Sequence, residues 1–240
     1  MSFVPITDFL FPRVCINCNE VPVDEFLCCD CLEKLDFITE IDVCNICGNP
    51  FGYNAKSGTD NKNLCQKCIE EKFFFSRCRS ISPYTGYLRS LLHNFKYNGN
   101  SELSLFFIWF VCEYYPEGLE DCDILIPVPV FIDKLRKREF NQCAVIGAQL
   151  AKFFGFEYDP FILRKEKDTK AQVDLSNEKE RIKNVRGVFT LHNYKRINGK
   201  RVLLFDDVFT TGSTTNECSK VLLQGGADNV QVLTMMRAVN

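Results

Sequence analysis

The stretch RVLLFDDVFTTGSTTNECSKVLLQGGA, Arg201 to Ala227, decides how the rest of the chain is read. Val202 to Phe205 is an apolar run of β type. Two carboxylates follow, Asp206 and Asp207, and then hydroxyls around one glycine, Thr210-Thr211-Gly212-Ser213-Thr214. A helical pattern continues to Gln224 and stops at Gly225-Gly226, a C-terminal cap signal. A strand that ends in a loop and feeds a helix puts that loop at the carboxyl edge of a sheet, where α/β folds bind ligands. The unpaired N–H groups of the helix's first turn, with the positive end of its dipole, favour a phosphate there. Gly212 permits a backbone conformation or a close approach that a side chain would hinder. Two aspartates beside a phosphate cradle would repel it. They are suited instead to accepting hydrogen bonds from ribose hydroxyls or to holding magnesium.

The segment LLFDDVFTTGSTT resembles the phosphoribosyl-pyrophosphate (PRPP) signature of type I phosphoribosyltransferases: apolar strand, acidic pair, then Thr-Gly-x-Thr. The resemblance implies that Asp206 and Asp207 contact the ribose hydroxyls and that Thr210, Thr211, Gly212, Ser213 and Thr214 wrap the 5′-phosphate.

The chain has 240 residues, 46% hydrophobic and 13% aromatic, which describes a packed globular protein of one large or two small domains. Net charge is only -2, but its distribution is uneven. Pro127 to Arg201 holds 17 Lys/Arg against 9 Asp/Glu, a local +8, and the remainder carries 12 against 22. A basic middle beside a phosphate cradle suits a polyphosphate ligand or nucleic acid. No basic start precedes the N-terminal apolar residues, so no secretory signal is expected. The most apolar run, Leu105 to Cys112, is far short of the roughly 20 residues that span a bilayer. A cytoplasmic protein with no transmembrane segment and a buried helix at Leu103 to Tyr115 is expected.

Fourteen cysteines without a signal peptide point to metal and not to disulfides. Four pairs share a two-residue spacer: Cys15 and Cys18, Cys28 and Cys31, Cys44 and Cys47, Cys65 and Cys68. Each pair presents two thiolates from one tight turn, as tetrahedral zinc requires. Cys28 is taken over Cys29 because it gives that spacer. The simplest arrangement is two four-cysteine sites in tandem, a double zinc ribbon binding two zinc ions; a cross-braced pairing has the same spacing. Residues 1 to 75 are sparse in apolar side chains, so metal would supply much of their folding energy. Phe73-Phe74-Phe75 is placed to pack this ribbon on the domain that follows. The division expected is 1–76 for the ribbon and 77–240 for an α/β domain.

Within the second part, Arg79 to Tyr84, Asp123 to Val130 and Val230 to Met236 read as further strands, and Tyr87 to Phe95 as a helix. Pro127 and Pro129 belong at a strand's end, because proline removes a ladder donor. The basic segment FIDKLRKREFNQ then leads into a helix, Cys143 to Phe154. Strand, basic loop, helix is a second candidate anion site. In phosphoribosyltransferases a loop in this position grips pyrophosphate, which assigns that part to Lys134, Arg136 and Arg138. His93 and His192 fit no zinc spacing and read as structural.

The whole chain is similar to the ComF/ComFC group, the competence protein F family. Five features carry the resemblance in order: the cysteine ribbon, HNFKYNGN, IPVPVFIDKLRKREFNQ, TKAQVDLSNEKERIKNVRGVF and VLLFDDVFTTGST. In the fourth, Thr169, Gln172, Leu175, Arg181, Asn184 and Phe189 fall on the family pattern. One position departs: Glu139 stands where the family has glycine in R-G-F-N-Q. The resemblance implies a type I phosphoribosyltransferase-like parallel sheet with helices on both faces. It also implies PRPP binding with magnesium, and handling of single-stranded DNA alongside the DNA-uptake machinery in natural transformation. The alternative class is an active phosphoribosyltransferase, which would release pyrophosphate from PRPP to an acceptor the sequence does not identify. No acceptor-specific residue is recognisable and the catalytic residues are left unassigned; some relatives of this fold bind PRPP as regulators.

Overall fold

The computed structural model describes residues 14–38, 43–51, 63–98, 101–119, 121–167 and 187–239. Thr169, Gln172, Leu175, Arg181 and Asn184 lie outside them, as does most of the stretch between Cys47 and Cys65.

Five parallel strands form one sheet: β1 (Arg77–Pro83), β2 (Ile124–Pro127), β3 (Glu157–Tyr158), β6 (Arg201–Phe209) and β7 (Asn229–Arg237), in the order β1-β7-β6-β2-β3. Between β3 and β6 in the chain, β4 (Leu163–Lys165) and β5 (Phe189–Leu191) make a small antiparallel pair. The central strands read as continuous apolar runs because both faces of the sheet are covered. Along β6, Leu203 and Phe205 enter one buried cluster and Val202 and Leu204 the other.

The first cluster holds α3 (Gly86–Asn98), α4 (Ser101–Glu113) and α6 (Gln142–Phe154) against the sheet. Phe106, Phe107, Phe110 and Val111 of α4 are fully buried in it, which is where the LFFIWFVC run goes. The second cluster packs α7 (Ser213–Gln224) on the opposite face. The sequence expectation of a parallel sheet with helices on both faces is what the fold shows. No helix among the described residues is long and apolar enough to cross a membrane.

The cysteine region divides across this sheet. Cys15, Cys28 and Cys31, with the short helix α1 (Cys29–Glu33), lie in the first cluster; Cys44, Cys47 and Cys68, with α2 (Gln66–Glu70), lie in the second. Both halves bond to β1, the edge strand: the Ile38 N–H donates to the Ile81 carbonyl at 2.9 Å, and the Cys78 N–H to the Ile46 carbonyl at 2.6 Å. An edge that would otherwise offer unpaired backbone groups is thereby covered.

Two expectations need correction. The strand expected over Val202–Phe205 runs on through Asp206 and Asp207 to Phe209, pairing with β7 beyond the point where β2 has ended. The segment expected as a basic loop is a helix, α5 (Ile132–Arg138). It ends at Glu139, whose φ of 67° is left-handed.

Candidate functional site

The chain leaves β2 toward β3 on one side and leaves β6 toward β7 on the other. That is a topological switch point, and α/β sheets open a ligand crevice at the carboxyl ends of such strands. Proline shapes it here. Val128 makes the last N–H bond of β2, to the Phe205 carbonyl at 2.8 Å, and Pro129 has no N–H with which to continue. From Asp206 onward β6 has no paired strand on the β2 side among the described residues, and a cleft of about 480 Å³ opens there.

Asp206, Asp207, Thr210 and Thr214 line one wall of this cleft, and Lys134 and Arg138 another. Asp206 Oδ1 accepts from the Asp207 N–H at 2.9 Å and from the Cys143 thiol at 3.7 Å. Burial, and then the neighbouring Asp207 charge, push the Asp206 carboxyl up to about 7. Asp207 is paired: Lys96 Nζ sits 2.7 Å from its Oδ2. Burial works against the Lys96 ammonium, but Asp207 outweighs it and the Lys96 pKa is raised. Burial and the two aspartate charges together push the Cys143 thiol well above its usual range.

The turn into α7 is built on Gly212, with φ of 80° at the N-cap. A Cβ there would lie 2.6 Å from the Phe209 ring and 3.2 Å from that of Phe73, so conformation and space both require glycine. Thr211 Oγ1 and Ser213 Oγ are 2.7 Å apart, and Thr215 Oγ1 donates to the Gly212 carbonyl at 3.1 Å. Glycine at the N-cap offers no capping side chain, the Ser213 N–H donates to Thr211 Oγ1 at 3.4 Å, and the positive end of the helix dipole faces the turn.

Not every expected residue meets the cleft. Arg136 is exposed, pairs with Asp133 at 3.3 Å, and lies outside the lining. Thr211 faces the cysteine region on the far side of the loop. The lining residues that were not expected at the site include Lys96, Gln142, Cys143 and Lys165. Gln142 is 1% exposed, and its Nε2 has no hydrogen-bond partner among the described residues. His93, Lys96 and Tyr97 lie three and four residues apart on one face of α3, and that stripe was the available signal. Tyr97 ties α3 to α5: Arg138 donates to its hydroxyl at 3.0 Å and stacks 4.8 Å over its ring.

In each cysteine quartet the four sulfurs lie within 4.8 Å of one another: Cys15, Cys18, Cys28 and Cys31, then Cys44, Cys47, Cys65 and Cys68. The arrangement is tandem. Sulfur separations of 3.4 Å (Cys18 to Cys28) and 3.5 Å (Cys47 to Cys65) are close to the roughly 3.8 Å that tetrahedral zinc imposes with Zn–S near 2.3 Å. N–H groups support the sulfurs as they do around bound metal, Asn17 toward Cys31 at 3.2 Å and the Cys65 backbone toward Cys44 at 3.3 Å. Cys29 is exposed, with its thiol on Asp30, and stands outside the quartet. The donor sets fit two zinc ions. The Asp206–Asp207 pair offers the oxygen donors that magnesium prefers.

Residues 6–69 match the model of the double zinc ribbon domain. Competence protein F of Haemophilus influenzae is 28% identical over 232 residues, 93% of this chain and 96% of that protein. The chain is a homologue of competence protein F over most of its length. Competence protein ComFC of Bacillus subtilis is 26% identical over 90% of this chain and 85% of its own. The DNA utilization protein YhgH of Salmonella typhi is 28% identical over 83% and 86%. Solved structures with partial overlap include adenine phosphoribosyltransferase from Thermoanaerobacter pseudethanolicus. It is 18% identical and covers 59% of this chain and 83% of that one, at a TM-score of 0.36. Glutamine PRPP amidotransferase from B. subtilis covers 53% of this chain at a TM-score of 0.34, and the overlap spans only 24% of that enzyme. Overlaps of this size say nothing about function.

Proposed function

We propose that this is a ComF-type competence protein, cytoplasmic, which binds PRPP with magnesium in the cleft between β2 and β6 and handles single-stranded DNA. One observation carries the proposal: the acidic pair at the end of β6, Thr210 and Thr214 of the turn into α7, and Lys134 and Arg138 of α5 all border one cleft, with Gly212 in an adjoining recess and Ser213 outside both. Asp206 and Asp207 accept from the two ribose hydroxyls. The Thr210–Thr214 turn holds the 5′-phosphate on the first-turn amides of α7. Lys134 and Arg138 face the pyrophosphate. Magnesium, for which Asp206 and Asp207 offer oxygen donors, would offset the charge of the pyrophosphate. Lys96 keeps the acidic pair from repelling the phosphates by neutralising Asp207 at 2.7 Å.

The DNA part rests on the relatives named for competence and DNA utilization and on the local +8 between Pro127 and Arg201. Salt-sensitive binding of single strands follows from such a surface. A DNA-uptake partner protein follows from the competence relatives alone.

A transferase reading has one observation in its favour. A carboxyl poised near 7 in a cleft is a feature of reacting sites. In that reaction the bond from ribose C1 to pyrophosphate breaks, a bond from C1 to the acceptor forms, and pyrophosphate leaves with the electron pair.

Calorimetric titration of PRPP with magnesium into the full-length protein, followed by assay of pyrophosphate release with and without single-stranded DNA, tests both. Saturable binding without release supports the PRPP-binding competence protein. Release that depends on an added acceptor supports the transferase. An absence of binding overturns the PRPP assignment.

A further inference from the structure

The two quartets meet the rest of the molecule differently. From the first, contacts to the α/β domain run to β1, to α4 and to the start of α3, where the Tyr87 hydroxyl donates to the Cys31 carbonyl at 2.9 Å. Lys96 lies nine residues further on, about 13 Å along the helix at 1.5 Å per residue. The second quartet meets the phosphate turn itself. Lys67, between Cys65 and Cys68 on α2, donates to the Thr211 carbonyl at 2.9 Å. Phe73, stacked on Phe75 with centroids 4.8 Å apart, covers Gly212. The Phe74 N–H donates to Asn216 Oδ1 in the first turn of α7 at 2.6 Å. A fourth link comes through Arg237, 3% exposed. It donates to the Cys47 carbonyl at 2.6 Å and stacks 4.9 Å over Phe209, the residue before the turn.

The peptide plane gives these contacts a direction. The Thr211 carbonyl and the Gly212 N–H belong to one trans peptide and point opposite ways. A carbonyl held toward the ribbon by Lys67 directs the Gly212 N–H away from it. On that far side Gly212 borders a small recess with Asp206, Thr210 and Thr214.

We propose that the second quartet is part of the phosphate site, with Lys67 as a positioning residue: metal at Cys44, Cys47, Cys65 and Cys68 fixes α2, and α2 fixes the turn that presents its amides to the phosphate. The proposal rests on the ribose-phosphate reading of the cleft, but the conformation of the turn is measurable without any ligand. The first quartet has no such role and supports the opposite face of the sheet.

The test uses full-length wild type, Lys67→Met, Lys67→Arg, Cys68→Ser and Tyr87→Phe. Zinc per chain is read by elemental analysis, amide hydrogen exchange at residues 210–216 without ligand, and PRPP–magnesium affinity by calorimetry. Lys67→Met retains two zinc ions, exchanges faster at the turn and binds PRPP about tenfold more weakly, the scale of one hydrogen bond from a charged donor. Lys67→Arg restores most of both. Cys68→Ser loses one zinc and loosens the turn. Tyr87→Phe removes a single hydrogen bond at the first quartet and leaves the turn as in wild type. Turn exchange unchanged in both Lys67→Met and Cys68→Ser overturns the proposal. If wild type fails to bind PRPP, the ligand assignment falls, while the exchange comparison still decides whether the ribbon sets the turn.

Discussion

The two walls of the cleft are built on different principles. The β6–α7 wall is one continuous stretch in which strand, acidic pair, turn and helix follow without interruption. Its groups are held by backbone geometry: Asp206 by the Asp207 N–H, Gly212 by its own φ and by the rings packed over it. The α5 wall is a seven-residue helix with no buried residue, standing on side-chain contacts such as Arg138 with Tyr97. On the proposed reading, the first wall is preorganised for a ribose phosphate. The second offers charge at the cleft's edge, to be drawn in by a pyrophosphate. Substitutions in the first should therefore cost more binding than those in the second.

The largest effect belongs to Asp206→Asn with Asp207→Asn. Two hydrogen bonds to charged acceptors contribute about 1.5–3 kcal/mol each, so PRPP affinity should fall by more than about a hundredfold while zinc content is unchanged. Calorimetry decides it, and equal affinity in the double variant would remove both aspartates from the site. The single change Asp206→Asn separates binding from stability. A carboxyl whose folded pKa is raised to about 7 is protonated in the fold below that pH and charged above it. The folded state then binds more protons than the unfolded one, so stability falls as pH rises from the ordinary carboxylate range through 7. Asparagine is neutral at every pH. Relative to wild type, the melting temperature of Asp206→Asn should therefore be little changed near pH 4, where the unfolded carboxyl also takes up its proton, and higher at pH 8. Thermal melts at the two values check the sign.

The same contrast explains what was legible in the sequence. Everything in the β6–α7 wall is local, so apolar run, acidic pair, glycine and hydroxyls could be read in order, and the fold places them on one edge. The cysteine spacing was legible for the same reason: each pair is one turn. What could not be read are meetings between distant segments. Lys96 on Asp207, Arg138 on Tyr97 and Lys67 on Thr211 all depend on tertiary packing, the last across 144 residues of chain. The basic segment read as a loop because KLRKR, a run of good helix formers behind an acidic first-turn residue, was weighed by its charge alone. Nor does spacing say that the two quartets straddle the sheet, since it is set within each pair and not by what the pair packs against.

An intermediate effect distinguishes two arginines that the sequence treats alike. Arg138 lines the cleft and Arg136 points to solvent against Asp133. Arg138→Ala should weaken PRPP binding by about tenfold, the value of one charge-assisted contact. Arg136→Ala should change it by less than about twofold, as exposed pairs do. Equal losses in calorimetric titration would show that α5 turns on binding and that both guanidinium groups reach the pyrophosphate.

The smallest effect concerns Glu139, the residue that ends α5 with φ of 67° where the family resemblance gives glycine. A non-glycine residue in this left-handed conformation costs roughly 1–2 kcal/mol, because its Cβ crowds the backbone. Glycine removes that crowding but loses about 0.4–1 kcal/mol through its freer unfolded chain. Glu139→Gly should therefore stabilise the protein by about 0.5–1 kcal/mol. For a domain of this size that is an increase of about 1–4 °C in melting temperature. Charge is the competing explanation, since Glu139 neighbours Arg138 and lies close in sequence to Lys134. Glu139→Ala separates the two, because alanine removes the charge and keeps the Cβ. Strain as the cause predicts that only glycine raises the melting temperature. Both substitutions should then improve PRPP affinity slightly and equally, by less than about threefold, as an exposed charge screened by salt allows. If alanine and glycine stabilise alike, the left-handed residue carries no strain, and the glycine of the family pattern serves the ligand and not the turn.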